Sequence, residues 1–205
     1  TRPHRELHEL LISKSKDNLI SILTDLLTAY INDKNSSSLR EFVTVSIAGY
    51  KHNPSKLGYN GFKQNSAIGG QSISCEAKPK NIQTDGYDQR KSKPKLNGEG
   101  GFNDYTIERL KKDDKENLNL LSSGFIDGEL QYILEFPFKV AYERLKKQLP
   151  EKRTVGTYTR MASFNFSHYA DYPDIKIIYL NKQAIEKNQK YFNKNFYKFL
   201  IEQQR

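Results

Sequence analysis

The chain has 205 residues, 36% of them hydrophobic, with 13 Tyr, 11 Phe and no Trp; it can bury the core of one α/β domain and is too aromatic for a disordered chain. Its 33 Lys and Arg against 24 Asp and Glu leave a net charge of +9, which favours a polyanionic partner, nucleic acid or an anionic membrane surface. No apolar run approaches the roughly 20 residues of a membrane span, and the single cysteine, Cys75, excludes an internal disulfide framework. The start, TRPHRELHELLISKS, carries no signal-peptide core, so the expectation is a soluble protein of a reducing, cytoplasmic, bacterial-type compartment. Abundant Lys, Asn and Ile equally fit a lysine-rich protein from an AT-rich genome.

From Ser15 to Ile31, Leu19, Ile20, Leu23, Leu26, Leu27, Tyr30 and Ile31 recur at helical spacing and predict an amphipathic helix, core or dimer surface, capped by Ser15. The polar stretch 32–38 ends it. The β-branched run FVTVSIA (42–48) predicts a strand bounded by Gly49. A long loop rich in Gly, Asn and Ser is expected over 49–71. SISCEAK (72–78) alternates as a strand and is expected to stop at Pro79. A second polar loop follows over 79–103, with Asp104 as the cap of a short helix. LLSSGFI (120–126), the Asp127–Gly128 turn and ELQYILEF (129–136) predict a hairpin, and 138–149 a helix. Strands are expected at 160–166 and 175–180, then one helix from Lys182 to Glu202. The resulting organisation is one mixed α/β domain, a central mixed sheet flanked by helices: a helical part over 1–40, the sheet core with its two loops over 41–180, and the C-terminal helix over 181–205.

The segment Cys75-Glu76-Ala77-Lys78 carries the chemistry. On a strand, Glu76 and Lys78 project from one face. Phosphodiester hydrolysis needs a hard cation to polarise phosphate and acidify water, and a positive group for the developing charge. Glu-x-Lys supplies one ligand and one such cation; a second carboxylate must come from the adjacent strand or turn. Taken alone the pair also fits an exposed ion pair on an edge strand.

GYNG (58–61) followed by SCEAKPK resembles the active-site signature of the PD-(D/E)xK nucleases, which include most type II restriction endonucleases. The resemblance covers about residues 41–80. It implies a restriction-endonuclease-like fold, a Mg²⁺ cofactor, double-stranded DNA as substrate, sequence-specific cleavage and a homodimer. Glu76 matches the family's second acidic ligand, Lys78 its lysine, and Asn60 stands where the family has Asp. Either Asn60 marks an inactive Asp→Asn form, or the second carboxylate lies elsewhere and Asn60-Gly61 is only a turn. Asp104 and Asp127 are then the next acids to consider; Asp127 and Glu135 read as parts of a structural hairpin.

Phosphate contacts are expected first from Arg90, Lys91, Lys93 and Lys95. Lys51, His52, Lys63 and Lys80 around the motif, and Lys152, Arg153 and Arg160 further on, join them. A DNA-binding module without catalysis is the alternative. An RNA-binding protein stacking bases on its Tyr and Phe is a third reading, weakened by core-like spacings such as Phe192, Phe196 and Phe199.

Overall fold

The computed structural model describes residues 9, 12–21, 23–24, 37–53, 58–64, 72–149 and 158–202. Residues 16–21 and 23–24 are helical, as the periodicity predicts; residues 22 and 25–31 of that expected helix, with Lys152 and Arg153, lie outside the described residues.

Helix α1 (Ser37–Ile47) replaces the strand expected over 42–48. Its β-branched residues cost only tenths of a kcal/mol each in a helix, about 0.7 at most. Burial decides the matter, because Val45 and Ala48, three apart, pack on Tyr50, Cys75, Ala77 and Leu121. The Thr44 and Ser123 hydroxyls meet at 2.6 Å beneath the helix.

The expected loop 49–71 holds two short strands, β1 (Lys51–His52) and β2 (Gly61–Gln64). Strand β3 (Ser72–Ile82) follows, then β4 (Gly100–Tyr105), α2 (Ile107–Glu116), β5 (Asn119–Ile126) and β6 (Glu129–Pro137). The chain continues through α3 (Phe138–Lys146), β7 (Thr159–Phe164), β8 (Lys176–Leu180), α4 (Lys182–Lys187) and α5 (Lys194–Glu202). Six strands form a mixed sheet in the order β1-β2-β3-β5-β6-β8, parallel only between β3 and β5, while β4 and β7 pair in a separate antiparallel ribbon. Helices pack on this sheet, as expected.

β3 runs through Pro79, where the sequence predicts its end. β2 accompanies β3 only as far as Cys75. Beyond it the N–H of Ala77 already turns to a side chain, that of Asn60, at 2.7 Å. Pro79, two residues on, faces the same vacated side, where a missing N–H costs no ladder bond.

The hairpin β5–β6 forms around Asp127 and Gly128, whose φ angles of 49° and 83° are those of a tight turn with both central residues left-handed. Asp104 belongs to β4 with φ 48°, and the cap of α2 is Thr106, whose hydroxyl accepts from Arg109 N at 3.1 Å. The predicted C-terminal helix is broken in two: Asn181 caps α4, and Asn193 Oδ1 accepts from Asn195 and Phe196 N at the start of α5.

The main core lies on the sheet face opposite α1. Phe102 stacks on Tyr105, Phe136 on Tyr169, and Phe164, Phe192 and Phe196 are buried around them. These rings fill the interior and are no exposed platform for bases.

Candidate metal and nucleic-acid site

Alternation along β3 turns Cys75 and Ala77 toward α1, and Glu76 and Lys78 toward β4 and α2. Lys78 Nζ lies 2.6 Å from Glu76 Oε1 and 4.0 Å from the centre of the Phe102 ring. Both side chains are largely buried, 10% and 16% exposed, so the pair is not the solvated surface contact that Glu-x-Lys gives on an open edge strand.

Asn60 joins this strand from the turn before β2. Its N–H donates to Cys75 O at 2.9 Å, its carbonyl accepts from Asn53 N at 2.8 Å, and its Oδ1 accepts from Ala77 N. The side chain therefore bonds to the backbone between Glu76 and Lys78. On its other side, Asn60 Nδ2 donates to Glu41 Oε2 at 3.5 Å. Asn60-Gly61 is thus more than a turn: it joins β3 to α1, and Gly61 is required because a Cβ there would strike the Val45 side chain and crowd Tyr50 and the Cys75 sulfur.

Two acids escape sequence reasoning, one beside Asn60 and one beside the pair, since each sits on an element distant in the chain. Glu41 comes from α1, where Ser37 Oγ also donates to it at 3.1 Å. Asp113 comes from α2, buried, accepting from Tyr105 OH at 2.8 Å. Burial pushes the Asp113 carboxyl up; the negative Glu76 adds to this, while the Tyr105 hydrogen bond, Arg109 and Lys78 oppose it. Burial and the Asp113 charge push the Tyr105 phenol up in turn.

The donor set as it stands does not complete a hard-cation site. Asn60 Oδ1 serves Ala77, Glu76 is paired with Lys78, and among the described residues no three His, Cys, Asp or Glu converge on one point.

The rival acids are accounted for by the fold. Asp127 accepts from Thr84 N at 2.8 Å and from Thr84 Oγ1 at 2.5 Å, tying the hairpin tip to the end of β3. Glu135 faces α1, buried; Tyr50 OH donates to it at 2.7 Å, and Lys63 and Lys176 each approach at 3.4 Å. Burial and Glu135 together push the Tyr50 phenol up. Asp104 is exposed on β4.

The expected DNA contacts divide. Lys63 is taken up by Glu135 and by the Tyr50 ring, 3.9 Å from its centre, and Lys80 by Glu99 at 2.7 Å. Lys51 is exposed beside Phe62, whereas His52 packs edge-on against Phe42 at 5.4 Å, and burial lowers its pKa. Lys91, Lys93 and Lys95 are exposed and Arg90 donates to Asp85 O at 2.9 Å. Their loop follows the Ile82 end of β3, six residues beyond Glu76, about 20 Å along the strand. Arg160 is exposed on β7, across the ribbon from β4. No protein-family model matches the sequence, and no curated protein does.

Proposed function

We propose that the chain is a duplex-DNA-binding protein of the restriction-endonuclease type, sequence-specific and homodimeric. Its phosphodiesterase centre is Asn60, Glu76 and Lys78, and it stands one carboxylate short of a Mg²⁺ site. The observation that carries this reading is the hydrogen bond from Ala77 N to Asn60 Oδ1, which brings a residue from 16 positions before Glu76 against the backbone between Glu76 and Lys78. The net charge of +9 supports a polyanionic partner, and the buried aromatics argue against base stacking on RNA.

With Asp at position 60, a hard divalent cation held there and by Glu76 would supply Lewis acidity and a low-pKa water. The chain's own part is positional. Glu76 and the Phe102 ring hold Lys78 Nζ in one place, as a fixed positive charge for the phosphate oxygens. A second reading, a DNA-binding module without catalysis, is favoured by the fit of Asn60 itself: its Nδ2 donates to Glu41, which a carboxylate cannot do.

Competition anisotropy tests the common part. Duplex DNA is expected to displace a labelled duplex far better than single-stranded RNA does, with affinity falling steeply as salt rises. Equal displacement by RNA would sink the reading. Duplex binding with no Mg²⁺-dependent cutting by Asn60→Asp would leave the binding module.

A further inference from the structure

The ribbon β4–β7 stands apart from the main sheet and passes over the Glu76–Lys78 pair. A Cβ at Gly100 would lie 2.9 Å from Lys78 Cβ and would strike the Phe164 ring, so β4 approaches the pair as closely as a backbone can. One face of the ribbon buries Phe102, Tyr105, Ala162 and Phe164. The other face is open. Asn103 and Met161 are cross-strand partners on it, and Arg160, the next residue of β7, is exposed as well. The left-handed φ of 48° at Asp104 turns two successive residues, Asn103 and Asp104, to solvent.

The ribbon is fixed as well as open. Gln148, just beyond α3, holds β7 by both ends of its amide: Nε2 donates to Ser163 O at 2.9 Å and Oε1 accepts from Ser163 N at 3.0 Å. Arg109 Nη1 donates to Asn103 O at 3.2 Å. Met161 is 60% exposed and Tyr158 55%, an outlay of apolar surface that the core does not use. Arg and Asn on a rigid element are residues that read base edges, and an apolar side chain among them can meet a thymine methyl.

We propose that this ribbon enters the major groove of duplex DNA beside the Lys78 site and reads base edges. The inference rests on the duplex-DNA reading above and names the element that gives it sequence preference. The major groove, about 12 Å wide, admits a two-stranded ribbon. Asn103 suits adenine, Arg160 guanine, Asp104 the amino group of cytosine and Met161 the thymine methyl. An exposed acid among these side chains fits base edges, where donors and acceptors alternate, and would be repelled by phosphates. The basic loop 90–95, at the far end of β3, serves phosphates instead.

The test begins by selecting a preferred duplex from a random pool, with Ca²⁺ in place of Mg²⁺. The ratio of affinities for selected and scrambled duplexes is then measured for the chain, for Asn103→Ala, Arg160→Ala and Met161→Ala, and for Lys91→Ala/Lys93→Ala. All these side chains are exposed, and circular dichroism checks that each variant keeps the fold. The ribbon variants with lost polar groups are expected to drop the ratio about tenfold or more. The lysine double variant is expected to weaken both duplexes and flatten the salt dependence with the ratio intact. Selective binding with an unchanged ratio in every ribbon variant overturns this inference alone; so does a shift in self-association by Met161→Ala without loss of discrimination, which would make the ribbon a contact between copies. Binding of duplex DNA with no preference overturns it while leaving phosphate binding. A chain that binds no duplex at all fells the duplex reading and this inference together.

Discussion

Asn60 serves two neighbours that want opposite things from it. Ala77 N offers a proton, which Oδ1 takes; Glu41 needs one, which Nδ2 supplies. Asn60→Asp keeps the first bond and turns the second into two carboxylates 3.5 Å apart. Like charges that close force one to take a proton or both to share a cation. The variant is therefore expected to melt below the parent in chelator and to recover with millimolar Mg²⁺ or Mn²⁺, by the linkage of ligand binding to folding. The parent is expected to be insensitive. Equal sensitivity in a thermal-shift titration would place any cation site away from residue 60.

Two other residues make separable predictions. Gly100→Ala must push Lys78 or the Phe164 ring aside, and is expected to cost about 1–3 kcal/mol in urea unfolding. A smaller loss would mean that β4 is free to lift off the pair. Asp113 titrates above its ordinary 3.8 because burial and Glu76 disfavour its charge. A raised native pKa gives stability that is complete below the unfolded value and lost as pH climbs through the native one. Asp113→Asn removes that loss, so its stability relative to the parent should improve from pH 4 upward. A pH-independent difference would refute the burial argument.

At the scale of elements, turn chemistry was the best guide. Asp127-Gly128 between alternating strands marks the hairpin because few residues accept two successive left-handed φ angles. Gly128→Ala at φ 83° is accordingly expected to cost about 1–2 kcal/mol, checked by denaturation; no loss would mean that the turn can change type. Where tertiary contacts overrule local preference, the sequence misleads. FVTVSIA has the composition of a strand, and only the cluster of Val45, Ala48, Cys75 and Leu121 makes it helical. Pro79 marks a strand end only if both edges of β3 are paired, and the early end of β2 is a matter of topology. Asp104 and Thr106 are both plausible caps, and a kinked strand chooses between them. Glu76 and Lys78 were legible because a strand puts alternate residues on one face. Glu41, Asp113 and the ribbon were not, since no local spacing links α1, α2 or β7 to β3.

Across the whole molecule, charge is distributed by face. On the α1 side buried Glu135 accepts from Tyr50 and is paired with Lys63 and Lys176, so its charge is matched by partners from β2 and β8. The Glu76–Lys78 pair lies on the opposite face, beneath a ribbon with open polar side chains, with the exposed lysines 91, 93 and 95 beyond the other end of β3. Under the proposed function, one face has a structural duty and the other a nucleic-acid duty. On that proposal residue 60, Glu76 and Lys78 form a single hydrolytic centre. The measurement that tests it most directly is Mg²⁺-dependent cleavage of phage DNA by the chain, by Asn60→Asp and by Asn60→Asp/Lys78→Ala. Discrete fragments from Asn60→Asp alone are the expected result. Cleavage by the parent at the same rate, or duplex binding without cleavage by all three, would contradict it.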